Sequence, residues 1–155
     1  MNGIQLSRLA GAGSAALLLA ALGFQIIGYA PCELCVLQRW PHVVAVIIAL
    51  AVVLTGRVRI LAILGALAVA TSMAIAIYHT GVEIGWWEGP ATCSAGTISV
   101  IEMSPQQLLE KLQSAPVVRC DEVAWRFLGL SMATWNAICS ALLAGIWLLA
   151  ARRAR

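Results

Sequence analysis

The chain has 155 residues, 61% of them hydrophobic and 11% charged, with a mean hydropathy of +0.90. A soluble domain carries about 25% charged residues, so these figures exclude a water-soluble globule and point to a chain that lives in lipid. The net charge of +3 reads as an orientation signal, and no nucleic-acid partner is expected from it.

Four apolar stretches, at residues 9–29, 36–56, 60–78 and 131–151, each reach about 30 Å as helices, the thickness of the hydrocarbon core. The expectation is an all-α integral membrane four-helix bundle forming a single domain over residues 1–155. The first stretch is longer than the 7–15 residues of a signal-peptide core and lacks a small-residue cleavage site, so it reads as a retained span. Just beyond it stands "PCELCVLQRW", residues 31–40, a Cys-x-x-Cys followed by an arginine. Pro41 falls early in the second span. A helix starting there would be too short to cross, so the helix is expected to begin near residues 33–36, with Pro41 kinking its first turns.

A short turn at 55–59 makes the second and third spans a hairpin. The third span ends near His79, which as a lone histidine at that depth reads first as an amphipathic boundary residue. The connection over 79–130 is too long for a plain turn and too poor in apolar residues for its own core. Within it, "SPQQLLEKLQ" carries helix-start chemistry: Ser104 as N-cap, Pro105 in the first turn, and Gln107 completing a capping box, with leucines on one face. It predicts a short interfacial helix. Trp86, Trp87 and Trp125 suit the headgroup belt. The fourth span contains a lone cysteine, Cys139, expected to be a small buried hydrophobe.

Charge sets the orientation. Arg8, Arg57, Arg59, Arg152, Arg153 and Arg155 flank the spans on one side, where no acid falls; Glu33, Glu83, Glu88, Glu102, Glu110, Asp121 and Glu122 all lie in the other two connections. The positive-inside rule therefore puts both termini and the 57–59 turn in the cytoplasm, and the long loop outside. Cys32, Cys35, Cys93 and Cys120 then face the compartment where disulfides form and persist.

Zinc is a poor use for these four thiols, because Cys93 and Cys120 do not form a second close pair and an oxidising compartment disfavours permanent thiolates. Static disulfides are a second reading. A Cys-x-x-Cys ring is so small that it removes little chain entropy, which favours reactivity over bracing. At a helix N-terminus the partial positive charge lowers thiol pKa. Arg39 lies four residues past Cys35, on the same helix face. It reads either as a snorkelling boundary residue or as a cation that stabilises the Cys35 thiolate and binds an electron-accepting carbonyl. No dinucleotide loop, haem-attachment motif or cluster-binding cysteine run is present, which leaves a membrane quinone as the acceptor at hand.

"PCELCVLQR", "YHTGVEIGWWEGPATC" and "CDEVAWRFLGLSMATWN", spaced between four spans, resemble the disulfide bond formation protein B (DsbB) family over nearly the whole chain. The resemblance implies an enzyme of the bacterial inner membrane that reoxidises a periplasmic thioredoxin-like oxidant, DsbA, and reduces ubiquinone or menaquinone. It assigns Cys32 and Cys35 to the quinone-facing pair, with Cys35 nearest the ring, and Cys93 and Cys120 to the pair that meets DsbA, with Cys93 the sulfur attacked. Arg39 and His79 match positions near the quinone. Trp135 and Asn136 match motif text without a role that follows from it. The energetics agree with the implied chemistry: DsbA stands at about −120 mV, so an ordinary stable disulfide some 180 mV lower faces roughly 8 kcal/mol uphill, and a quinone sink removes that cost.

Two other readings remain. Relatives of vitamin K epoxide reductase also place a Cys-x-x-Cys in a four-helix bundle, but late in the chain, whereas here it opens the second span. A tetraspan scaffold braced by disulfides belongs to a different class; its cysteines would be permanently blocked to alkylation.

Overall fold

The computed structural model describes residues 1–90, 93, 104–106 and 118–154. It contains α1 (Gly3–Ile26), α2 (Glu33–Leu37), α3 (Arg39–Thr55), α4 (Val58–Glu83), a two-stranded ribbon β1 (Arg126–Phe127) and β2 (Leu130–Ser131), and α5 (Met132–Arg152). Among the described residues, four segments are long and apolar enough to cross a membrane: α1, α2 and α3 together over Glu33–Thr55, α4 and α5.

The chain enters α1 through a capping box in which Asn2 and Gln5 each accept the other's backbone N–H at 2.9 Å. The span begins six residues earlier than the apolar count predicts and ends three earlier. Early polar residues are absorbed into the helix, where Ser7 hydrogen-bonds the Gly3 carbonyl at 2.9 Å. The second span starts at Glu33 and breaks at Gln38. Pro41 has no N–H to offer the carbonyl of Leu37, and its ring crowds that turn, so the interruption falls where the proline requires it. Gly56, at φ 68°, closes α3 in the left-handed conformation and turns the chain into α4.

α4 runs on to Glu83, five residues past the expected exit. Its last turns are covered by the connection that follows, so His79 is buried instead of lying at the boundary. The expected interfacial helix falls mostly outside the described residues; only Pro105 and Gln106 of it are seen, in helical conformation. A hairpin not foreseen in the sequence precedes α5: Arg126 pairs with Ser131 and Phe127 with Leu130, around Leu128 and Gly129, both at positive φ.

The helices form a square in which α1 touches α3 and α5, and α4 touches α3 and, most extensively, α5. The interior holds small and polar side chains, among them Ala10, Ser14, Ala45, Ala49, Ser72, Ala76 and Ser140, while Leu19, Ile47, Leu54, Ile60, Leu67 and Leu142 point outward. That inversion suits lipid, where close backbone approach and buried polar contacts hold helices together. At one end Arg153 donates to the Met1 carbonyl at 3.1 Å and Gly3 abuts Val58 and Ala150, so both termini and the α3–α4 turn share one end of the bundle.

Gly65 of α4 faces the buried ring of Trp147 on α5, and a Cβ built there would stand 2.6 Å from two ring carbons. Gly65→Ala should cost about 1–3 kcal/mol of stability. Gly145→Ala, whose Cβ would meet nothing within 4 Å, should leave it unchanged or slightly raised. Thermal unfolding in detergent checks both.

Candidate thiol redox site

The site forms at the other end of the bundle, where α2 begins. Cys32 is the N-cap of α2 and its sulfur accepts the Cys35 backbone N–H at 3.2 Å. The two sulfurs lie 2.8 Å apart, with Cys32 Sγ donating to Cys35 Sγ. This contact, followed by burial, pushes the Cys32 thiol well above its ordinary pKa. Cys35 is thereby the accepting sulfur of the pair.

Cys93 and Cys120 are joined as a disulfide, Cα–Cα 5.3 Å, buried against α2 and α4 with Leu34, Val82 and Val118. The Cys120 N–H donates to the Cys93 carbonyl at 2.8 Å. The sulfurs of Cys32, Cys93 and Cys120 all fall within 4.8 Å of one another, and a second group within that distance joins Cys32 and Cys35 to a ring nitrogen of His79. Cys32 belongs to both groups and links the two pairs.

His79 Nε2 lies 3.6 Å from Cys32 Sγ and 3.9 Å from Glu83 Oε1, and its Nδ1 is 2.7 Å from Gln38 Nε2. Glu83 in turn accepts from Ser131 Oγ. Arg39 does not simply snorkel: Nη1 donates to Gln25 Oε1 at 3.0 Å and Nη2 to the Ala21 carbonyl at 3.5 Å, both on α1. Cys139 is half-buried and free, not enclosed as expected, because its neighbour Ser140 takes the inward position on α5.

A cavity of 390 Å³ opens beside the thiols. Leu17, Ala21, Phe24, Met132 and Ala133 give it apolar walls; Cys35, Arg39, His42 and Asn136 line it as well. Sequence reasoning gave no site role to Gln38, His42, Glu83 or Asn136. The signal was available as polar residues at helical spacing inside spans, 38 with 42, 79 with 83, and 136 with 140, which face the bundle interior when they occur in membranes.

Beside Cys120, Arg119 grips Asp121 through two bonds of 2.9 and 2.6 Å. The bond from Arg119 holds the Asp121 carboxyl below its ordinary 3.8. A depressed folded pKa means that the pair's contribution is complete above the unfolded value and is lost as pH falls through the folded one. Protection of the Cys120 amide from hydrogen exchange, taken relative to the intrinsic rate at each pH, should therefore fall only in acid below about 3.8, and by no more than a few-fold, since the pair is partly exposed.

The profile of the family described as "Disulfide bond formation protein DsbB" matches residues 5–150. Among similar proteins, a disulfide bond formation protein B of Azoarcus sp. is 33% identical, covering 83% of this chain and 80% of that one. One of Stutzerimonas stutzeri is 30% identical, covering 80% and 79%, and an uncharacterised protein of Rickettsia prowazekii is 30% identical, covering 78% and 71%. No solved structure matches the chain. A four-span membrane bundle with its thiols gathered at one end, matched by this profile over nearly its whole length, belongs to the DsbB family of thiol oxidoreductases.

Proposed function

We propose that this protein reoxidises a periplasmic DsbA-like dithiol and passes the electrons to a membrane quinone from the bacterial inner membrane, with the thiol end of the bundle outside the cell membrane and the arginine-rich end in the cytoplasm. The observation that carries this reading is the position of Cys32, within 4.8 Å of the loop sulfurs and 2.8 Å from Cys35.

In this scheme the partner thiolate attacks Cys93 Sγ, breaks the Cys93–Cys120 bond and releases Cys120 as thiolate. The partner's second thiol then breaks the mixed disulfide, so that the partner leaves oxidised and Cys93 holds a thiol. Cys120 attacks Cys32 Sγ of a Cys32–Cys35 disulfide and expels Cys35 as thiolate. Attack by Cys93 on Cys120 restores the loop disulfide and leaves Cys32 and Cys35 as the dithiol, the arrangement seen here. Two electrons and two protons remain to be removed.

The cavity fits a quinone ring by its chemistry: apolar walls on several helices, a guanidinium and an amide at its polar end, and a volume in the range of small-molecule sites. A ubiquinone or menaquinone held there supplies the two-electron, two-proton acceptor. Arg39, anchored to α1, would hold a carbonyl oxygen and favour negative charge on it and on Cys35. The cavity's apolar walls border Cys35.

Extraction of purified protein tests the reading. A stoichiometric quinone, together with quinone-dependent oxidation of a reduced thioredoxin-like partner, is the expected result. Protein with four cysteines blocked to alkylation and indifferent to quinone would instead be a braced scaffold.

A further inference from the structure

A chain of hydrogen bonds crosses the bundle and ends on Cys32. Its sense is set by an unambiguous acceptor: Ser72 Oγ donates to the backbone carbonyl of Gln38 at 3.0 Å. Ser72 has then used its only hydrogen, so the Asn136 atom 3.3 Å away must be the amide nitrogen. The same nitrogen donates to Gln38 Oε1 at 2.7 Å. With its oxygen so engaged, Gln38 presents its own N–H to His79 Nδ1 at 2.7 Å. His79 Nδ1 is thereby an acceptor, and the ring hydrogen sits on Nε2, facing Cys32 Sγ at 3.6 Å. The far end obeys the same rule: Asn136 Oδ1 accepts from His42 Nε2 at 3.1 Å, and His42 Nδ1 takes the hydroxyl of Ser14 at 3.3 Å. Every link donates in one direction, from Ser14 on α1 through α3 and α5 back to Gln38, then to α4 and the sulfur.

We infer that Asn136 and Gln38 are positioning residues for thiol exchange: they lock His79 in the Nε2–H tautomer, so that a preorganised N–H donor faces the sulfur through which the two cysteine pairs communicate. The inference rests on the exchange route given under Proposed function. When Cys93 attacks Cys120 of the Cys32–Cys120 mixed disulfide, the Cys32–Cys120 bond breaks and Cys32 is the leaving sulfur, on which negative charge develops. A donor fixed there stabilises that charge without reorganising. The groups facing Cys32 are Cys35 on α2, His79 and Glu83 on α4, and the Cys93–Cys120 pair; among them the Cys35 backbone N–H, at 3.2 Å, and the His79 ring are the neutral N–H donors, and His79 is the one supplied by a side chain.

The chain contains two histidines, which makes the test direct. Imidazole 15N spectra of labelled protein in detergent should show both rings as the Nε2–H tautomer, with assignment from His42→Gln. In a Cys35→Ala, Cys139→Ala background Cys32 is the free thiol, and its alkylation rate is followed against pH. Gln38→Met and Asn136→Ala should each mix the His79 tautomers and move the alkylation midpoint up by about one pH unit, or about 10-fold in rate at pH 7. The limiting rate at high pH should stay the same, which separates charge stabilisation from access. An Nδ1–H tautomer at His79 in the unmodified protein overturns the inference, and so does an unmoved midpoint in both variants. Failure of quinone-linked turnover in the unmodified protein would instead sink the functional reading, leaving the tautomer result to stand by itself.

Discussion

Cys32→Ser should stop turnover, by about 10⁴-fold or more, while a partner dithiol still forms its mixed disulfide at Cys93. The geometry separates these two steps. The loop pair is complete without Cys32, since Cys93 and Cys120 are already bonded, so attack on Cys93 needs nothing from α2. Onward transfer in the proposed scheme does need it, because Cys32 is the residue common to both sulfur groups. A hydroxyl there neither accepts a thiolate's attack nor forms a disulfide. Gels of complexes trapped with a reduced partner that lacks its second cysteine check the first step, and quinone-dependent oxidation of the intact partner the second. Cys93→Ser should abolish both. Cys35→Ser should spare the adduct and block quinone reduction. Cys139→Ala should leave both unchanged, as Cys139 stands apart from the four. Turnover surviving Cys32→Ser would mean that the loop pair reaches the acceptor without α2.

Arg39→Ala should slow the acceptor step by very roughly 30-fold to 1000-fold, the effect of losing about 2–4 kcal/mol of transition-state stabilisation from a charged donor in a partly dehydrated site. Arg39 lines the cavity together with Cys35, and its fork is held by Gln25 and the Ala21 carbonyl, which aims it without neutralising it. Lysine should rescue only partly, since an ammonium keeps the charge and loses the planar fork. Adduct formation at Cys93 should be unaffected. Turnover measured against quinone concentration decides the matter; an unchanged dependence in Arg39→Ala reduces Arg39 to a brace between α1 and α3.

Much of this was legible in the sequence, for identifiable reasons. Bilayer thickness imposes a length that hydropathy registers directly, so the four spans could be counted. Pro41 announced the interruption of the second span. What the chain hid depends on tertiary cover. His79 looks like a boundary residue because Tyr78 precedes it and polar residues follow, yet α4 continues to Glu83 beneath the connection that carries the disulfide. Asn136 and His42 appear unrelated across the sequence and meet at 3.1 Å only once α3 and α5 are in one bundle. The hairpin at 126–131 was invisible because its turn places a leucine, Leu128, at positive φ, where turn chemistry anticipates asparagine or glycine.

The interruption at Gln38 sets the segment that carries the thiols apart from the rest of the second span. A Cys-x-x-Cys fused to one straight 23-residue rod could shift only if that rod slid or tilted in its lipid surroundings, and every displacement would be opposed along its whole length. Here the sulfurs ride on a segment of five residues, joined to the 17-residue anchor through a turn already lacking one of its hydrogen bonds. In the proposed exchange, a displacement of Cys32 between its loop-side and helix-side neighbours would fall on that one joint before it reached the membrane anchor.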